Sequence, residues 1–309
     1  MGKIIVIGHK NPDTDTIISS IVAAEYCKNI LKVSAEAKRA GQLNNETKFI
    51  LDKFKVKTPT MFRTLGESDS VVLVDHNEIG QIADGLNFPQ VVRIIDHHKL
   101  QITTERPISV RIESLGSTSS LLAKMYQEAG KKIPTILAKL LVAGILSDTW
   151  NLTGPTTAEE DKQIIRELNK IAKLKLDEFA KEMFAAKSSL KGVSIKTVVD
   201  GDCKLFKVGK FKLGVAVWET TDPTSVVPQK GKIIELLRAK KSQEKLDYLF
   251  FFIVDLLKQS SVLYFFDEAE KGVAEKAFKV KIAGDEVSLP GVASRKKQII
   301  PPLTAELVK

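Results

Sequence analysis

The chain has 309 residues, is 43% hydrophobic and 28% charged, and carries a net charge of +9. That length admits two domains, each with its own core, and the composition is that of an ordinary soluble globular protein, which excludes a disordered chain. The basic excess fits an anionic ligand such as phosphate or nucleic acid, and equally a lysine-rich solvated surface.

Cys27 and Cys203 are the only cysteines. They make no short-spaced pair, so neither a zinc ribbon nor a disulfide framework is indicated, and reduced thiols in the cytoplasm are the expectation. The amino terminus enters a strand at once and shows no signal-peptide pattern. The most apolar stretch, Tyr248 to Val254, stops at Asp255; it is too short to span a bilayer and reads as a buried strand.

In chain order, the first half alternates strand and helix. A strand over Lys3–Ile7 leads into a polar turn, Gly8 to Asp15, and then a helix from about Thr16 to Ile30 with Ile17, Ile21, Ala24 and Cys27 on one face. A shorter strand covers Ala35 to Ala40, and Asn45 reads as the N-cap of a helix from Glu46 to Phe54. Apolar, β-branched strands follow at Val71 and Val91. Gly116-Ser117 opens a helix to about Ala129. The next helix, Thr135 to Leu146, is nearly all apolar and therefore buried. A charged helix from Ala158 to Lys173 and another from Leu176 to Ala186 complete this half. Periodicity is lost over Lys187 to Ser194, which gives a domain of residues 1–187, a linker of 188–194 and a second domain of 195–309. Beyond it, strands are expected at Lys204–Val208, Phe211–Trp218, Tyr248–Val254 and Ser261–Phe266, with helices over Lys232–Lys241 and Glu268–Phe278. The fold class is α/β: a Rossmann-like, mostly parallel sheet with helices on both faces, then a smaller α/β domain with a mixed sheet.

All four histidines fall in the first third, each after an apolar run or its terminal aspartate. His9 follows Lys3–Gly8, His76 follows Val71–Asp75, and His97 and His98 follow Val91–Asp96. Ligands in open parallel sheets bind beyond the carboxyl ends of the strands. Three strand ends therefore deliver imidazoles and carboxylates to one edge of one sheet. The turn His9-Lys10-Asn11-Pro12-Asp13-Thr14-Asp15 is either a capped turn with a surface histidine or a ligand set of His9, Asp13 and Asp15. Asp75-His76-Asn77-Glu78 and Asp96-His97-His98-Lys99 are either polar loop openings or ligands. Asp148 closes the apolar helix, where the helix dipole disfavours an acid; it is a loop residue just past the helix or the neighbour of a cation. Mixed carboxylate and imidazole donors point to a transition metal rather than calcium. Mn²⁺ or Co²⁺ suits them, and Mg²⁺ suits them less because it prefers oxygen. Two ions about 3.5–4 Å apart, sharing a carboxylate and a hydroxide, would suit in-line phosphoryl displacement. In the second domain, Arg295-Lys296-Lys297 offers phosphate a fork and point charges, or is simply a solvated basic loop.

With these residues laid out, the chain resembles the manganese-dependent, family II inorganic pyrophosphatases of the DHH phosphoesterase superfamily. The resemblance rests on Gly8 to Asp15, Val74 to Glu78, Asp96-His97-His98, Ser147-Asp148-Thr149 and Ser294 to Gln298. It implies one metal held by His9, Asp13 and Asp75, and another held by Asp15, Asp75, His97 and Asp148, with Asp75 bridging. It implies two or more Mn²⁺ per subunit, with Co²⁺ or Mg²⁺ as substitutes. His98 would lie at the substrate or leaving group; Lys204, Arg295 and Lys296 would bind the phosphates; His76 and Asp96 would orient ligands.

The implied reaction is hydrolysis of pyrophosphate to two orthophosphates by a bridging hydroxide, with Asp75 and His98 catalytic, in a cleft between the domains. A homodimer, a cytoplasmic location, and no nucleic-acid or membrane partner complete the expectation. The family's regulatory nucleotide-binding insert is not expected, because two helices fill the stretch between Asp96 and Asp148. The rival enzyme is a DHH-type phosphodiesterase acting on short or single-stranded nucleic acid. It would use the same metals, but such relatives carry a Gly-Gly-Gly-His segment, and no histidine follows His98. A binding protein without turnover would be expected to have lost some of these residues.

Overall fold

The computed structural model describes residues 2–190 and 192–308; Lys191, inside the segment read as a linker, lies outside them, as do both terminal residues. The chain divides into two compact units, Met1–Ala186 and Lys187–Lys309. The first unit runs β1 (Ile4–Ile7), α1 (Thr14–Asn29), β2 (Ala35–Arg39), α2 (Asn45–Lys53), β3 (Thr60–Met61), β4 (Ser70–Val74), β5 (Val91–Asp96) and β6 (Ser109–Ile112). Then come α3 (Thr118–Glu128), α4 (Thr135–Asp148), α5 (Glu159–Ala172) and α6 (Leu176–Ser188).

The strands form one sheet in the order β3-β2-β1-β4-β5-β6, parallel at every pairing. β1, β4 and β5 are built mostly from Ile, Val and Leu and end in runs of consecutive buried positions, the mark of strands covered on both faces. Ile5, Ile7, Val71, Leu73 and Ile94 pack against Phe62, Ile82, Ala83 and Phe88, the last three drawn from short 3-10 turns at Ile79–Gln81 and Phe88–Gln90 and their flanks. α1 packs on β1, β2 and β4, α3 packs on β5, and α4 stacks on both helices. Chain order reverses between β1 and β4, and the crevice beyond the carboxyl ends at such a reversal is where open parallel sheets bind ligands.

The second unit holds α7 (Ile195–Asp200), β7 (Cys203–Val208), β8 (Phe211–Thr220), α8 (Lys230–Gln243), β9 (Tyr248–Asp255), β10 (Ser260–Tyr264), α9 (Glu268–Phe278), β11 (Glu286–Pro290) and α10 (Ile300–Leu307). Its sheet order is β11-β10-β9-β8-β7, with β8 and β9 parallel and the other pairings antiparallel. The Tyr248–Asp255 strand lies at its centre, buried from Leu249 onward. Val198 and Val199 of α7 and Ile233 and Leu237 of α8 pack with Phe251 and Ile253, while Phe252 meets Phe278 of α9.

Several local expectations are corrected. The N-cap of α2 is Asn44, whose side chain accepts from Thr47 N, not Asn45. α1 starts at Thr14, because Asp13 caps it and Asp15 is already helical. The short strands β3, β6 and β11 were not expected. β6 shows that the stretch between Asp96 and Asp148 holds more than two helices. Edge strands of two to five residues carry too little periodicity to read, and their pairing is decided by the neighbouring strand. α10 is a further element not expected from the sequence; its first turn carries Pro301 and Pro302, and proline is tolerated there because the N–H groups lack partners anyway.

Candidate metal centre

Each expected ligand is placed by an element end. β1 stops at Ile7, and Gly8 lets the chain pass against α1; a Cβ there would overlap the Thr16 methyl. His9 follows, and Asp13 caps α1 by accepting from Thr16 N at 2.9 Å. Asp75 leaves β4 with φ of +62°, a left-handed conformation that costs a non-glycine residue on the order of 1 kcal/mol and marks sites where geometry is imposed. Asp148 is the last residue of α4.

Three overlapping groups result. His9, Asp13 and Asp75 offer donor atoms within 4.8 Å of one another; so do Asp15, Asp75, His97 and Asp148; so do Asp75, His97 and His98. Asp75, 1% exposed, is common to all three. Its two oxygens face different groups. Oδ2 lies 3.7 Å from His9 Nε2, and Oδ1 lies 3.4 Å from His97 Nε2. Each also accepts one hydroxyl, Oδ2 from Thr16 at 2.5 Å and Oδ1 from Thr118 at 3.0 Å. One lone pair per oxygen is thus left for each side.

The imidazole of His97 is turned by its far nitrogen: Nδ1 donates to Leu115 O at 3.0 Å. Nε2 is buried and has no hydrogen-bond partner, though Asp75 and Asp148 oxygens lie 3.4 and 3.5 Å away. Such separations are long for hydrogen bonds and suit atoms that share a cation.

Electrostatics point the same way. Burial opposes a proton on His9, but Asp13 and Asp75 outweigh it and raise the imidazole to about 9. Burial also opposes a proton on His97, and Asp75 followed by Asp148 raises it well above its usual range. Burial and then Asp75 push Asp15 up to about 7. Burial and then Asp15 push Asp148 well above the carboxylate range. Four carboxylates this close cannot all ionise unless positive charge sits among them. The buried, unpartnered His97 Nε2 and this crowd of like charges fit a pair of divalent cations; the absence of thiolates and the mixed O/N donors fit manganese or cobalt better than structural zinc.

Around the ligands, Asp96 is fully buried and accepts from His97 N at 2.7 Å, His98 N at 3.1 Å and Asn77 Nδ2 at 2.7 Å, and pairs with His98 Nδ1 at 2.9 Å. Burial would raise its pKa, but His98 and Asn77 together hold it below the usual value. His76 belongs to none of the three groups; its Nδ1 meets Val74 O at 2.9 Å, its Nε2 is buried without a partner, and burial lowers its pKa.

In the second unit, the Arg295 guanidinium is clamped by Asp202, donating to its carbonyl at 2.9 Å and pairing with its carboxylate at 2.8 Å. This sets Arg295 beside the start of β7, where Lys204 stands exposed two residues on; Lys296 is exposed as well.

Sequence reading missed a set of supporting residues. Thr16, Thr118 and Ser119 donate to the ligands, and Glu46, 1% exposed, accepts from Thr14 at 2.7 Å and Ser147 at 2.8 Å. The available signal was Ser117-Thr118-Ser119-Ser120, four hydroxyl residues at a helix start where a cap needs one.

A parallel sheet whose switch-point strands end in a carboxylate and imidazole cage, followed by a separate mixed-sheet unit, defines a two-domain protein of the DHH class. Residues 3–145 match the DHH family, N-terminal domain, and residues 181–305 match the DHHA2 domain. A Bacillus licheniformis protein named "Probable manganese-dependent inorganic pyrophosphatase" is 39% identical over 309 residues, covering 99% of each chain. A Bacillus cereus protein of the same name is 38% identical over 306 residues, covering 98% of each. Among solved structures, a Methanococcus jannaschii protein assigned to the family II inorganic pyrophosphatases superposes with a TM-score of 0.79 at 35% identity, covering 98% of this chain and 99% of its own. A Bacteroides fragilis exopolyphosphatase-related protein, 15% identical with a TM-score of 0.51, shares the fold alone. The chain belongs to the manganese-dependent, family II inorganic pyrophosphatases.

Proposed function

We propose that this chain hydrolyses inorganic pyrophosphate to two orthophosphates with a pair of divalent cations, manganese first. The observation that carries the reading is Asp75, buried between two donor groups with one oxygen turned to each. On this reading His9, Asp13 and Asp75 hold one cation, and Asp15, Asp75, His97 and Asp148 hold the other. Bound there, the cations supply Lewis acidity toward phosphate oxygens and lower the pKa of water.

The protein's own groups do the rest. Thr16 and Thr118 fix the Asp75 carboxylate, and Asp96 fixes the His98 ring through Nδ1, which leaves Nε2 to hold or pass a proton at the departing phosphate oxygen. Arg295, held by Asp202, neutralises phosphate charge together with Lys204 and Lys296. The water oxygen bonds to one phosphorus, the bridging P–O bond breaks, and the leaving phosphate takes a proton.

Asp75→Ala is expected to cut manganese-dependent phosphate release by several kcal/mol of barrier, on the order of a thousandfold. Release near the wild-type rate would overturn the assignment. The nucleic-acid phosphodiesterase reading is not favoured, since the curated relatives are named pyrophosphatases; mononucleotide release from a short oligonucleotide as the main activity would revive it. Among the described residues no helix is long and apolar enough to cross a membrane. A homodimer and a cytoplasmic location belong to the same reading, and sedimentation of the pure protein tests the former.

A further inference from the structure

We propose that Ser119 and Gly144 are positioning residues for one cation group and not the other. The Ser119 hydroxyl, admitted by the missing side chain at 144, aims Asp15 at the group it shares with Asp75, His97 and Asp148. The inference rests on the two-cation reading above.

Asp15 is fully buried in the first turn of α1. The amino end of α3 meets it head-on. Thr118 N donates to Oδ2 at 2.7 Å; Ser119 N donates to Oδ1 at 3.1 Å, and the Ser119 hydroxyl donates to the same oxygen. The Ser19 hydroxyl approaches Oδ1 at 3.4 Å from within α1. A carboxylate has about four lone-pair directions. These donors saturate Oδ1 and take one direction on Oδ2, so Asp15 has a single lone pair left to give, on Oδ2. A carboxylate so constrained is a one-oxygen ligand with its direction set before any cation arrives.

Gly144 makes this possible. It lies in the interior of α4, where glycine costs roughly 0.5–1 kcal/mol relative to alanine. A Cβ at 144 would overlap the Ser119 hydroxyl, lie 2.8 Å from Asp15 Oδ1 and lie 2.9 Å from Ser119 Cβ. Gly144 is also one helical turn before Asp148, on the same side of α4. The depth to which α4 settles on α1 and α3 at Gly144 therefore sets the distance between Asp15 and Asp148, two members of one group. Asp13 is held from within α1 by Thr16 N, and Asp75 has its own pair of hydroxyls from Thr16 and Thr118.

The test is titration of the metal-free, full-length protein with Mn²⁺, with free ion read by electron paramagnetic resonance. Wild type is expected to take up two ions tightly. Ser119→Ala is expected to weaken one of them about 10–100-fold, the usual effect of removing a group that orients a ligand, and to leave the other unchanged. Gly144→Ala is expected to give the same one-site loss. In an Asp15→Asn background, Ser119→Ala should add nothing further, because its effect runs through that carboxylate. Equal weakening of both ions, no weakening in either variant, or a full additional loss in the Asp15→Asn background would overturn the inference while leaving the two-cation reading intact. A wild-type chain that takes up fewer than two ions would overturn both.

Discussion

At the residue scale the centre is a problem of crowded charge. Asp75 is held in a left-handed backbone conformation so that both of its oxygens reach inward, and its hydroxyl donors keep each oxygen half free. The proton affinities that follow have a measurable consequence. In the metal-free chain, against the burial of His9, Asp13 and Asp75 push it up to about 9, and burial with Asp75 pushes Asp15 up to about 7, each above its ordinary value. A raised value means the metal-free form holds a proton that the loaded form must lose. Loading therefore releases protons and is favoured as pH rises through about 7 and on toward 9. The Mn²⁺ dissociation constant should fall roughly tenfold per pH unit for each proton released. Isothermal titration in buffers of differing ionisation enthalpy counts those protons, and an affinity flat between about pH 6 and pH 8.5 would contradict the arrangement.

At the scale of elements, single buried acids tie helix ends together. Asp161 of α5 accepts from Gly116 N at 2.8 Å, from the Ser120 hydroxyl at 2.5 Å and from Ala158 N at 2.7 Å. At the third helical position of α5, Asp161 takes the N–H of the N-cap residue Ala158 while also fixing the start of α3 beside Asp15. Asp161→Ala strands three donors and is expected to lower unfolding stability by about 3 kcal/mol or more. Denaturant unfolding measures it, with Glu160→Ala, which removes only a surface pair with Lys124, expected to stay within about 0.5 kcal/mol of wild type.

In the second unit, Glu270 of α9 accepts from Leu249 N at 3.0 Å and pairs with Lys241 of α8 at 2.7 Å, linking both helices to the central strand. Burial and then Asp267 raise Glu270 from 4.5 to about 7. The folded state thus holds a proton that the unfolded chain releases above 4.5, so this group's contribution to stability falls as pH rises from 4.5 to about 7 and is level beyond. Glu270→Gln should remove that slope. Unfolding curves at about pH 5 and pH 7.5 compare the two proteins, and an identical slope in the variant would rule the linkage out.

At the scale of the whole molecule, the net charge of +9 sits on a chain whose candidate metal cage is acidic. On the proposed function the long-range field attracts an anionic substrate, while bound cations would neutralise the cage locally. The ratio kcat/KM for pyrophosphate should fall as KCl rises from about 20 to about 200 mM, because screening shortens the reach of that field. Steady-state kinetics over that range, at saturating manganese, decides it; a salt-independent ratio would show that the basic excess is only solvated surface.

The amino-acid sequence alone determined the elements whose signal is local and strong. The β-branched runs of β1, β4 and β5 and the all-apolar α4 announce burial whatever surrounds them, and a histidine or aspartate directly after such a run must emerge at a strand end. The placement of His9, Asp75 and His97 at one sheet edge was legible for that reason, whereas the candidate ligand set that adds Asp13, Asp15 and Asp148 came from the family resemblance. Only the tertiary structure decided that Asp75 turns one oxygen toward His9 and the other toward His97, and that Thr16, Thr118, Ser119 and Gly144 hold these carboxylates there. Those residues are 100 or so positions apart in places, and a hydroxyl or a bare Cα carries no periodic signal. Their roles exist only through distances of about 3 Å between helices that the chain brings together when it packs.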